Sequence, residues 1–68
     1  MRDWLKEKRT EHNYTMARMA EILNITESYY SLIEAGDRQK KMDIALAVKL
    51  SNVFGIPVEK IIELEATG

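Results

Sequence analysis

The sequence contains no cysteine and a single proline among its 68 residues. Without cysteine there is no disulfide staple and no thiolate metal site. Histidine also occurs once, so neither a metal-ligand cluster nor a nucleophile–base pair can be assembled, and no Gly-rich phosphate loop is present. The chain is expected to be no enzyme and to need no metal or cofactor. No apolar run approaches the roughly 20 residues that span a bilayer. The charged start, Met1-Arg2-Asp3-Trp4-Leu5-Lys6-Glu7, lacks the apolar stretch of a signal peptide. A cytoplasmic protein with no membrane partner is expected. An excess of one charge is missing too: ten Lys and Arg face eleven Asp and Glu, whereas nucleic-acid-binding domains are usually basic. The imbalance is uneven, with eight basic and seven acidic side chains in residues 1–41 and two against four in the rest.

What is present is apolar and helical in rhythm. Hydrophobic residues make up 46% of the chain, enough for one domain over residues 1–68. A core this small stabilises modestly, so help from a second copy is expected. Two of the three glycines and the proline fall where helices would stop: Gly36 after Ala35, Gly55 after Phe54, and Pro57 two residues later. Between these stops the apolar residues predict five short helices and no strand. The first runs from about Arg2 to His12, with Trp4, Leu5 and the alkyl part of Lys8 inward. The second, about Met16 to Leu23, places Met16, Met19, Ala20 and Leu23 on one face, with Thr15 as N-cap. The third, about Glu27 to Ala35, is capped by Thr26 and carries Tyr29, Tyr30, Leu32 and Ile33. The fourth, about Ile44 to Phe54, is capped by Asp43 and shows Ile44, Ala47, Val48, Leu50, Ser51 and Phe54. The fifth, about Val58 to Leu64, has Val58, Ile61, Ile62 and Leu64.

The second and third segments are separated only by Asn24, Ile25 and the capping Thr26. So short a connection makes the helices cross steeply, which is the helix-turn-helix arrangement. Ala20 is the small residue the close approach requires. Met19, Leu23, Ile25, Tyr30 and Ile33 fill the inward positions, and Asn24 is a good non-Gly residue for a positive φ at the turn.

From Leu5 to Ile62 the chain resembles the lambda-repressor-like (XRE-type) helix-turn-helix family. The resemblance rests on Lys6-Glu7-Lys8-Arg9, Tyr14-Thr15, Met19-Ala20-Glu21, Ser28-Tyr29-Tyr30 and Ile33-Glu34-Ala35-Gly36. It continues through Leu46-Ala47-Val48-Lys49-Leu50 and Phe54-Gly55-Ile56-Pro57-Val58-Glu59. It implies an all-α, five-helix fold whose third helix enters the major groove of DNA. It also implies phosphate contacts from the start of the second helix and the loop after the third, and a two-fold dimer built by the C-terminal helix. An Arg9–Glu34 pair joining the first and third helices is implied by position. The chain departs from the family at Met16, where Gln is common, at Glu27, where Arg or Gln is frequent, at Ala35 for Asn, and at Asp37 for Lys. The loop after the third helix also looks about two residues longer than usual.

Base edges would be met by the outward residues at the N-terminal end of the third helix, Glu27, Ser28, Ser31 and Leu32. Serine can pair with several bases, glutamate can accept from cytosine N4, and leucine can touch a thymine methyl. The alternative for Glu27 and Ser28 is a favourable helix-end charge and a solvated surface residue. Thr15, Met16, Thr26 and Tyr29 are candidates for the DNA backbone, Thr26 being equally readable as a cap alone. Arg38, Gln39, Lys40 and Lys41 form a second backbone group, a phosphate clamp or an ordinary solvated loop. For a homodimer the candidates are Ile56, Val58, Ile61 and Leu64, beside Ile62, whose other reading is core packing; Trp4 can belong to either. The function expected is a regulator, a repressor by preference, that binds a palindromic double-stranded DNA operator as a homodimer. The alternative is a module that keeps the fold and binds a protein partner, since Met16, Glu27, Leu32 and Asp37 make the face apolar and acidic.

Overall fold

Local chemistry sets the helix boundaries in the computed structural model, which describes residues 1–67. The elements are α1 (Asp3–Glu11), α2 (Met16–Leu23), α3 (Glu27–Ala35), α4 (Ile44–Phe54) and α5 (Val58–Thr67), with no strand among the described residues. Three helices start on the side-chain caps expected. Thr15 accepts from the Arg18 N–H at 3.0 Å, Thr26 from Tyr29 N–H at 3.1 Å and Asp43 from Leu46 N–H at 2.7 Å. Each satisfies a backbone donor that a helix start leaves free. α1 has no such cap: Arg2, at its N-cap position, makes no side-chain capping bond. Asp3 lies in the first turn and Lys8 and Arg9 in the last, each complementing the helix dipole, which Glu11 at the end opposes.

The stops are equally local. Asn24 is left-handed at φ 59°, and the following Ile25 N–H returns 2.9 Å to the Ala20 carbonyl. Gly36, at φ 86°, does the same for α3, with the Asp37 N–H 2.9 Å from the Leu32 carbonyl. Both are the doubly bonded stop that a left-handed residue permits. The first lets α2 and α3 pack directly on each other, while α1 packs on α3 and α4 on α5.

One apolar cluster joins all five helices. Leu5, Met19, Tyr30, Leu50 and Ile61 are its most enclosed members, with Trp4, Ala20, Leu23, Ile33, Leu46, Ala47 and Phe54 around them. Trp4 therefore belongs to the core. Three expectations need correction. The inward residue late in α1 is Arg9, and Lys8 is only half-buried. α5 continues to Thr67, three residues past Leu64. On α4 the buried line is Leu46, Ala47, Leu50 and Phe54, while Ile44 is 79% exposed and Val48 exposed as well. At 3.6 residues per turn Ile44 lies about 200° round the helix from Leu46, so both cannot face inward.

Candidate nucleic-acid interface

The short turn at Asn24 leaves the first turns of α2 and α3 side by side at the surface. Between them lies an open cleft of about 430 Å³ lined by Met16, Glu27, Ser28, Ser31 and Leu32. All four residues expected to read bases are thus brought together and exposed, Leu32 at 37%. Glu27 and Ser31 lie one helical turn apart, as do Ser28 and Leu32, so the four form two adjacent rows. Met16, expected at the DNA backbone, forms a wall of this cleft.

The back of α3 is braced. The Arg9 guanidinium donates from Nε to Glu34 Oε2 at 3.0 Å and from Nη2 to Oε1 at 3.3 Å, a two-pronged pair, and from Nη1 to the Tyr14 carbonyl at 2.9 Å. The Glu34 side chain is 1% exposed and that of Arg9 10%. The hydrogen bond to Glu34 outweighs the desolvation of Arg9 and holds its pKa above the ordinary guanidinium value. The Tyr30 hydroxyl lies alongside, buried and without a hydrogen-bond partner among the described residues. Burial, reinforced by the Glu34 carboxylate, pushes its pKa well above the usual phenol value. An unpaired buried hydroxyl costs free energy that an apolar edge does not. Tyr30→Phe is accordingly expected to leave the thermal midpoint unchanged or to raise it, read by a circular dichroism melt; a drop of several degrees would reveal a hidden partner.

The loop after α3 divides its expected backbone residues. Arg38, Lys40 and Lys41 are exposed, and none is in an ion pair among the described residues. Gln39 is occupied within the chain: its Nε2 donates to the Tyr29 hydroxyl at 3.1 Å, and its Oε1 accepts from the Asp43 N–H at 3.1 Å. It adopts a left-handed φ of 54°, and its one side chain ties α3 to the start of α4. Tyr29 is half-buried by the same contact, and Thr15 and Thr26 are exposed with their hydroxyls capping.

Sequence reasoning missed a second junction. Arg2 is 6% exposed although it precedes α1. Its Nη1 donates to the Ile33 carbonyl at 2.6 Å and the Arg38 carbonyl at 3.1 Å, and Nη2 to the Gln39 carbonyl. Its Nε reaches Glu65 Oε1 at 2.6 Å, and the Trp4 indole N–H donates to the same oxygen at 3.0 Å. The end of α3, the cationic loop, the N-terminal segment and α5 thereby meet at one guanidinium. The signal available was Glu65 itself, four residues beyond Ile61 and hence on the inward side of α5. Of the dimer candidates, Ile61 is fully buried in the chain's own core, because α5 must seal it. Ile56, Val58 and Leu64 are half-buried, and Ile62 is 58% exposed.

Comparison with known proteins fits this geometry. A helix-turn-helix family model matches residues 5–61. An uncharacterized HTH-type transcriptional regulator of Bacillus subtilis (strain 168), YqaF, is 34% identical over 55 residues, covering 81% of this chain and 70% of that protein. No solved structure matches significantly. The chain belongs to the lambda-repressor-like (XRE-type) helix-turn-helix family, whose members are DNA-binding transcriptional regulators.

Proposed function

We propose that this chain is a cytoplasmic, sequence-specific regulator of transcription that binds a palindromic operator in double-stranded DNA as a homodimer and acts as a repressor. The observation that carries the reading is the uncovered cleft at the start of α3, with Arg38, Lys40 and Lys41 free to meet phosphates beyond its other end. Family membership and the regulator YqaF support it. Two such faces related by a two-fold axis would lie about one DNA turn, ~34 Å, apart. The exposed Ile62, with the half-buried Ile56, Val58 and Leu64, supplies the apolar surface for the second copy.

Affinity measured against salt tests the phosphate contacts. Each contributes roughly −0.9 to the slope of log K against log salt. Lys40→Ala is expected to weaken binding uniformly across sequences and to flatten the slope by about one per bound protomer. A slope near zero, or no binding at low salt, contradicts the DNA reading. Retention of a protein from the same cells would then favour the partner-binding alternative, to which the acidic Glu27 and Asp37 and the apolar Leu32 lend support.

A further inference from the structure

The side chains of α3 define which bases this face can read. Along Glu27–Ala35 the sequence is ESYYSLIEA, with no Arg, Lys, Asn, Gln or His. Guanine is ordinarily recognised in the major groove by a guanidinium or ammonium on O6 and N7, and adenine by a side-chain amide on N6 and N7. Neither pairing can be made by this helix. What it offers the cleft is one carboxylate, two hydroxyls and one isobutyl group, faced by the Met16 thioether across the opening. Neither Ser28 nor Ser31 uses its hydroxyl within the described residues, so both remain available. Leu32 keeps more than a third of its surface in water, with the Met16 side chain lining the same cleft.

Resting on the DNA reading above, we infer that this domain discriminates bases as a pyrimidine reader: Leu32 and Met16 close on the 5-methyl group of thymine, and Glu27 accepts from the N4 amino group of cytosine. The two apolar walls reward a methyl group and leave the unmethylated pyrimidine edge without a partner. A carboxylate offers only acceptor oxygens, so opposite guanine O6 and N7 or thymine O4 Glu27 meets only acceptors. Cytosine presents a donor there, N4, with no acceptor beside it in the groove, whereas adenine sets its N6 donor next to the N7 acceptor, which repels the second carboxylate oxygen. The serines tolerate either kind of edge and set no base by themselves. This assigns Met16 a role in specificity where the phosphate backbone was expected, and it makes Glu27 a selective element in place of a cation.

The experiment uses the full chain. Bound sequences are selected from a random duplex pool at low salt, and each thymine of the selected site is then replaced by deoxyuridine, which removes only the methyl group. At one or two positions of each half-site the replacement is expected to weaken binding about three- to fivefold, the value of burying one methyl. In Leu32→Asn, which keeps the side chain's size and loses its apolar surface, the penalty at that position should vanish while those elsewhere persist. Glu27→Gln, able to donate as well as accept, should move the selected base from cytosine to adenine. Equal affinity for thymine and uracil throughout, or a penalty unchanged in Leu32→Asn, overturns the inference while leaving DNA binding intact. Absence of any DNA binding overturns both, and the two results are distinguishable in the first titration.

Discussion

Removing Glu34 is expected to destabilise the fold by about 3 kcal/mol, the largest single effect among polar residues here. Glu34→Ala leaves the Arg9 guanidinium facing the core with only the Tyr14 carbonyl as partner. Breaking a buried pair costs roughly 3–5 kcal/mol, because one charge is left uncompensated. The lower figure applies because Arg9 keeps a tenth of its side chain in water. For a domain of this size that corresponds to a fall of roughly 12–24 °C in the thermal midpoint, a large part of a marginal stability. Arg9→Met with Glu34→Leu should recover most of the loss, since paired apolar replacements are often neutral or better. A double variant as unstable as the single one would show that the pair itself, and not the orphaned charge, holds α1 to α3.

Arg2→Ala is expected to cost about 2 kcal/mol, the value of one or two hydrogen bonds to charged groups once partial exposure is discounted. It strands the Arg38 and Gln39 carbonyls, leaves the Ile33 carbonyl with the Gly36 N–H alone, and leaves Glu65 with only the Trp4 indole. The loss should depend on pH. Burial alone would raise the Glu65 pKa, but the hydrogen bonds from Arg2 and Trp4 and the Arg2 charge more than offset this and hold it below the usual carboxylate value. A carboxylate lowered on folding contributes fully above its unfolded pKa, about 4.3, and loses that contribution as pH falls through the folded value. The difference between wild type and Arg2→Ala should therefore be complete near pH 6 and shrink toward pH 3. Melts across that range check it, and a constant difference would remove Glu65 from the account. Because the same guanidinium holds the loop bearing Lys40 and Lys41, the variant should also bind DNA with a flatter salt dependence.

The parts of the fold legible in the sequence are those decided within one helical turn. Thr15, Thr26 and Asp43 cap because a hydroxyl or carboxylate three residues before a free N–H can reach it. Asn24 and Gly36 stop helices because they tolerate positive φ. The Arg9–Glu34 pair spans 25 residues and was anticipated only through the family resemblance. Arg2 and Glu65 are 63 residues apart, and no local pattern joins them. Ile44 and Val48 look inward on hydrophobicity alone, yet the turn of α4 gives the core to Leu46 and Leu50. The four exposed α3 residues that line the cleft were legible as a set, because outward positions on α3 follow from which residues face in. That Met16 completes its cleft depended on the packing of α2, and Gln39's capture by Tyr29 and Asp43 depended on a backbone turn that a glutamine does not announce.

The junction that closes the two chain ends has a kinetic consequence. Helix pairs joined by a few residues assemble quickly, whereas a contact across nearly the whole chain must first overcome the entropy of closing so long a loop. The Arg2–Glu65 seam should therefore zip last on folding and part first on opening, ahead of the α2–α3 unit. Trp4, the sole tryptophan, donates its indole N–H into that seam. Its emission consequently reports the early parting of the ends and should lead the far-ultraviolet signal in a stopped-flow unfolding trace.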